Sequence, residues 1–514
     1  MTSQTARRRA RLPGVLAGST ALVLGTLGAG PAVAAPAHPA APAAVTQSPG
    51  AGPATITGPI ASTAAPGDPS RNYVFYSTPF NLKRAGYEEQ EYFIAGTATR
   101  YPPRPTAAQQ QQPATAIGTT PYVTRIVVRR PTDPRRSAGV AVVDWQNVTA
   151  GHDIDTEWGT SGDFFVAHGW TWIGASVQAV GVNGAAAGPT AGLGLREWNP
   201  QRYGSLDVTH GGTVTDDSQS FDIYSQIGEL AKGTSRHDPL SSLHLRDVYA
   251  AGASQSGAFL GVYYNTIQPL AHVYNGFLFA LSDSALPPRP GVGTKAIRVF
   301  TETDIVNGEG AASQTVPDSA TLRTWEIAGA SHVPAYATDP SQTDFRATLG
   351  GIQTRELGPA PPVSCLNPGP SQVRSWAAFH AGYAALNAWV RLGIAPPHAQ
   401  PLDLVSAGPP ATFVRDQNGI VEGGVRLPDV AVPIALNNGV NGPASLANPL
   451  SVFCVLYGTS IPFTQAQLSA LYPSKAVYRA KVAADVARLI AERFLLPADG
   501  LTLIEEARHT SVAG

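Results

Sequence analysis

The sequence has little of several things. Its 514 residues include two cysteines, one methionine and only five lysines (Lys83, Lys232, Lys295, Lys475 and Lys481). Two cysteines cannot hold a Cys-rich zinc site or an iron–sulfur cluster. Charged residues make up 14% and the formal net charge is −1, so no basic excess exists to neutralise phosphates. Nucleic acid is therefore not an expected partner. No His-x-x-Glu-His or paired-His helix motif appears, which argues against a metal-dependent hydrolase. Beyond the N-terminus no apolar run is long enough to span a bilayer. What is abundant points elsewhere. Hydrophobic residues reach 43%, enough for a large core and too many for wholesale disorder. Glycine (52) and proline (45) describe a rigid, loop-rich surface. The length suits one large catalytic-type domain with extras, or two domains.

The first 35 residues read as a signal peptide. Arg7, Arg8, Arg9 and Arg11 precede an apolar stretch over residues 12–30, and Ala32-Val33-Ala34 offers the small residues of a cleavage site. The adjacent arginines also permit twin-arginine export. The rival reading, a membrane anchor, is disfavoured by the glycines and Pro13 in the stretch and by the lack of a stop-transfer pattern. Residues 36–70, rich in Ala, Pro, Gly, Ser and Thr, are expected to be a disordered leader. Export would put Cys365 and Cys454 in an oxidising compartment, where one disulfide is the simplest pairing and two buried thiols the alternative. That bridge closes a loop worth roughly 4 kcal/mol in the chain-entropy picture.

Residues 88–97 and 122–130 read as early antiparallel strands. The pattern then changes to short continuous apolar runs at 139–145, 170–176, 248–251, 276–280, 296–301 and 322–327. Such runs suit strands buried on both faces of a parallel sheet. Helical spacing lies between them at 155–167, 220–231 and 255–267, so the expected class is an open α/β sheet. After His332 come helices at 375–392 and 475–494 and a Gly/Pro/Val-rich stretch at 419–438. This extension, about residues 335–510 of a domain running from 71 to 510, is expected to form a cap, a lid or a small second unit.

Gly252-Ala253-Ser254-Gln255-Ser256-Gly257 joins a predicted strand to a predicted helix. A sharp turn of this kind strains the nucleophile's backbone and requires small residues two before and two after it. Gly-x-Ser recurs at Ser161, Ser176, Ser235, Ser331, Ser371 and Ser460, but there the residue two further on is larger. Ser254 is the expected nucleophile; Ser256 would sit inside the helix's first turn. A serine needs a base and the base an orienting group. His332, in the small-residue loop 328–334 after the last predicted strand, is the best placed of eleven histidines. Asp304 follows another strand and is the expected acid, with Glu302 two residues earlier as rival. The order Ser254, Asp304, His332 is that of the α/β-hydrolase fold. The oxyanion hole is expected from the Gln255 backbone N–H and a donor at Asn147 or Gln146, in the loop after Trp145.

The segments DWQNVTAGHD (144–153), WIGASVQAVGV (172–182), RYG (202–204), FDIYSQ (221–226), GASQSG (252–257), TETD (301–304) and WEIAGASHVP (325–334) resemble a little-characterised group of large, often exported α/β-hydrolase-domain proteins. GGVRLPDVAVP (423–433) and the region of Tyr472 fit the same pattern, so the resemblance covers about residues 70–500. It implies a serine hydrolase with the triad above and makes the extension part of the domain; no cofactor is expected. The expected reaction is cleavage of a small or polymeric carboxylic ester. Acyl transfer, amide or peptide cleavage with the same triad, and a non-catalytic surface-binding role are the alternatives. Trp145, Trp158, Trp170, Trp172 and Trp198 belong either to a substrate pocket or to the core. Oligomeric state is not written in the sequence.

Overall fold

A strand covered on both faces has no polar side to display, which is why the continuous apolar runs become strands. In the computed structural model, residues 54–185, 192–233, 239–281, 287–306, 316–338, 346, 350–359, 362–408 and 410–512 are described. The main sheet contains β1 (Thr55–Thr57), β2 (Tyr87–Arg100), β3 (Gly118–Pro131), β4 (Val140–Trp145) and β5 (Thr171–Ala175). It continues with β6 (Asp247–Ala253), β7 (Gly276–Ala280), β8 (Lys295–Thr301) and β9 (Leu322–Ile327). Their order across the sheet is β1-β2-β3-β5-β4-β6-β7-β8-β9. Pairings across the sheet from β1 to β5 are antiparallel; from β5 to β9 they are parallel. Both the parallel part and the antiparallel start agree with the sequence pattern.

Alternate residues of β4 enter opposite core layers: Val140 and Val142 one, Ala141, Val143 and Trp145 the other. The flanking helices are α1 (Thr156–Ala167), α2 (Ser220–Ala231), α3 (Gln255–Val262), α4 (Trp376–Leu392), α5 (Lys475–Ala491) and α6 (Pro497–His509). Helices α1, α4, α5 and α6 contribute to the first layer, α2 and α3 to the second. The helix expected at 255–267 is continuous but changes pitch, passing into a π-helical turn over Tyr263–Ile267. The five tryptophans named above are all core residues. No described helix is long and apolar enough to cross a membrane.

Two expectations change. The leader reaches to residue 70 by composition, yet Thr55–Thr57 pairs with residues 93–95 of β2. Polar contacts hold this segment: Arg202 Nη1 donates to the Ala61 carbonyl and Nη2 to that of Ile60, at 2.8 and 3.4 Å. Low hydrophobicity does not register such bonds. Residues 36–53 of the leader and the signal peptide lie outside the described residues. The extension, secondly, is not simply a cap. In α4, Trp376, His380, Tyr383, Leu386 and Trp389 recur at helical spacing and are buried. The helix packs on β7 and β8, covering the sheet itself. Val425 joins the edge beside β9, its N–H donating to Glu326 O at 2.7 Å. Each large apolar side chain so buried contributes about 1.5–3 kcal/mol.

Within this packing sits a buried charge cluster. His380 Nδ1 meets Asp499 of α6 at 3.1 Å and its Nε2 meets Asp163 of α1 at 3.1 Å, where Arg346 also binds Asp163 at 2.7 Å. Burial opposes a charged imidazole, but hydrogen bonds and ion pairs with the two aspartates outweigh it and raise the His380 pKa to about 9. A pKa raised on folding stabilises fully below the unfolded value near 6.5, and the stabilisation fades as pH rises through about 9. Urea unfolding should therefore lose about 3 kcal/mol between pH 6.5 and 9.5 from this residue. His380→Gln should be less stable at pH 6.5 and lack that part of the slope; an unchanged slope would remove His380 as its source.

Candidate active site

The site grows from the carboxyl ends of the parallel strands, where open α/β sheets leave a crevice. β6 ends at Ala253 and α3 begins at Gln255, so Ser254 alone makes the turn. It has φ 56° and ψ −125°, a combination that costs a non-glycine residue about 1–3 kcal/mol and persists only where neighbours enforce it. Three sets of contacts do so. Ser254 N–H donates to Ala280 O on β7 at 3.0 Å. Ser256 Oγ both accepts from Ala253 N–H (3.1 Å) and donates to Ala253 O (2.9 Å). Asn147 Nδ2 donates to the same Ala253 carbonyl at 2.9 Å. Ser256 is thus a brace inside the turn. The small residue at 252 also has its reason: a Cβ there would lie 3.2 Å from Ser256 O.

His332 leaves the end of β9 on a loop held at both sides. Val333 N–H donates to Leu456 O at 2.9 Å, and Gly329 N–H to Glu302 Oε2 at 3.0 Å. Gly329 has φ 70°, and a Cβ would come within 2.5 Å of Val430. His332 Nδ1 lies 2.6 Å from Asp304 Oδ1. The other oxygen of Asp304 accepts Thr301 N–H at 2.7 Å and Thr301 Oγ1 at 2.8 Å, so the strand end itself aims the carboxylate. Glu302 points elsewhere: besides the Gly329 N–H it accepts from Arg415 Nη2 at 2.6 Å. Burial raises its pKa against the pull of Arg415. Its part is to tie the histidine loop to the extension.

Ser254, His332 and Asn147 line one cavity of about 560 Å³. Its far walls come from the extension, including Phe379, Leu450, Phe453 and Tyr457, and none of the five tryptophans reaches it. Gln146 corrects an expectation, because it does not line this cavity. Its N–H donates to Ala175 O at 3.3 Å and its side chain bonds Asp155, Arg125 and Ser176, all buried. The Asn147 amide is likewise committed to Ala253, and the next two N–H groups of the loop are taken as well, Val148 by Gln255 Oε1 at 3.3 Å and Thr149 by Asn147 Oδ1 at 2.9 Å. His152, in the same loop, is buried and does not line this cavity; burial pushes its pKa down to about 4, and its Nδ1 faces Ala150 O.

Beneath the loop lies a feature that the sequence pattern did not bring out. Arg125 and Arg129 of β3 are fully buried and bind Asp153 (3.3 Å) and Asp155 (2.6 Å) respectively. Their other partners are Glu91 and Glu89 on β2, at 3.1 and 2.8 Å. Burial raises the Asp155 pKa to about 6 although both arginines oppose it. The available signal was Glu-x-Glu on one strand facing Arg-x-x-x-Arg on the next, each set on one side of its strand. Cys365 and Cys454 are joined as expected, with Cα atoms 5.4 Å apart. The bridge ties the segment of Val363 to the 450–457 wall of the cavity. Since Glu302 serves the loop and not the imidazole, Glu302→Gln should cost about 1–3 kcal/mol in urea unfolding by leaving Arg415 short of its partner. A neutral effect would contradict that role.

The family profile described as an alpha/beta hydrolase domain matches residues 56–505. No curated protein matches the chain. Among solved structures, one of two prolyl endopeptidases is 12% identical, covering 49% of this chain and 36% of that one at a TM-score of 0.25. A putative acetyl xylan esterase from Bacteroides fragilis is 14% identical, covering 38% and 44% at 0.21. A putative dienelactone hydrolase from Klebsiella pneumoniae is 13% identical, covering 50% and 91% at 0.25. The chain thus spans well under two thirds of the first two. With its family match over most of the sequence and its mostly parallel, helix-flanked sheet, the chain belongs to the α/β-hydrolase domain family.

Proposed function

We propose that the protein is an exported serine hydrolase that cleaves a carboxylic ester through an acyl-enzyme. Ser254 Oγ attacks the acyl carbon while His332 takes its proton, and the alcohol leaves with that proton. Asp304 holds the imidazole tautomer through Nδ1 and stabilises the imidazolium that forms. Water, deprotonated by His332, then releases the acid and restores Ser254. The negative oxygen of each tetrahedral intermediate rests on the Gln255 N–H at the start of α3 and on the main-chain N–H of Asn147, since the Val148 N–H is already donated to Gln255 Oε1. Each such donor contributes a few kcal/mol to the transition state. The observation that carries this reading is the strained Ser254 turn opening into the same cavity as a histidine bonded to Asp304 at 2.6 Å. The cystine supports export, since such bonds persist in oxidising compartments.

Purified mature protein should hydrolyse p-nitrophenyl esters and be labelled at Ser254 by a fluorophosphonate. Ser254→Ala should abolish both. Asp304→Asn should keep the fold and lower kcat by about 10⁴, whereas Glu302→Gln should lower it far less. Label on another serine, or the reverse ranking of the two acids, would reject the assignment. Adding alcohol acceptors separates hydrolysis from transfer: an ester product outpacing the acid would reassign the enzyme as an acyltransferase. Amide substrates cleaved faster than matched esters would make it an amidase.

A further inference from the structure

The cavity wall combines two properties that bear on what enters it. Its described lining contains no aspartate, glutamate, lysine or arginine. Apart from His332 its polar groups are uncharged, the clearest being Tyr336, whose hydroxyl lies 3.0 Å from Ser375 Oγ. The apolar part comes mainly from the extension, with Phe379, Leu450, Phe453, Leu456 and Val363 facing the space beside Ser254. The Cys365–Cys454 bond joins two of these wall segments, so the apolar surface is held in place and not left to collapse. A volume of about 560 Å³ is within the range of sites that take a drug-sized ligand, far more than an acetyl group requires.

We infer that this cavity selects an uncharged ester carrying a bulky apolar group, and that the disulfide-braced wall of the extension reads that group. This rests on the ester-hydrolase reading of the same site. An ionised group entering the cavity gives up water and meets no opposite charge in the described wall, so charged substrates are rejected. A methylene entering it leaves water for carbon contacts, which favours longer chains.

The test is a p-nitrophenyl ester series from acetate to decanoate, with mono-p-nitrophenyl adipate and its methyl ester as a charged and neutral pair. We expect kcat/KM to rise about fourfold per methylene until the cavity fills. The carboxylate-bearing ester should run at least about 50-fold below its methyl ester. Phe453→Ala and the double substitution Cys365→Ser, Cys454→Ser should flatten the chain-length slope. A Ser254-dependent activity that is flat or falling with chain length, or equal on the charged and neutral pair, overturns the inference and leaves the hydrolase reading intact. Calorimetry on Ser254→Ala with the uncleaved esters reads the cavity independently of turnover. Affinity rising with chain length supports the inference even if no ester is cleaved; affinity independent of chain length overturns it.

Discussion

The peptide of Ala253 is the constraint on which the site depends. Its N–H and carbonyl are both taken by Ser256 Oγ, and the carbonyl also receives the Asn147 amide. Those bonds hold the chain in a conformation that Ser254 would leave if released. They also link three pieces of structure: the end of β6, the start of α3 and the loop after β4. The strain at Ser254 and the position of the loop beside it are therefore one arrangement.

That arrangement stands on buried charge. Arg125 and Arg129 sit beneath the loop with Asp153 and Asp155 above and Glu91 and Glu89 beside them. Replacing such a network by apolar residues can be neutral, but removing one partner strands a charge at about 3–5 kcal/mol. Its value here is positional: the carboxylates fix the loop that lines the cavity together with Ser254. Glu302 does similar work on the opposite side, holding Gly329 and Arg415 together.

The extension has two physical tasks. With α4 it covers one face of the sheet, α5 and α6 add side chains to the same core layer, and Val425 extends the edge next to β9. With its loops it closes the cavity, where the cystine joins the segments that line it. A cap in the ordinary sense could be removed from a finished domain. Here Trp325, Leu386 and Val482 share one core, so cover and catalytic sheet fold as one body.

Much of this was legible in the chain. Runs such as Gly276–Ala280 and Leu322–Ile327 match their strands end to end, because burial on both faces leaves a continuous apolar signature. The turn at Ser254 was legible because only small neighbours fit its geometry. The pairing of Cys365 with Cys454 followed from there being no other cysteine. Other features were not local properties at all. Whether Asp304 or Glu302 met His332 depended on the helical turn over Glu302–Val306, which turns residues two apart to different sides, and on the hydrogen bonds of Thr301. The commitment of Gln146 to Arg125 and the tie of Ala61 to Arg202 span 21 and 141 positions. Sequence alone determined the strands, the turn and the residue types available for chemistry, because each is set by neighbours along the chain. Which of those residues meet, and what wall they share, only the tertiary structure decided, because distance in space is not written in spacing.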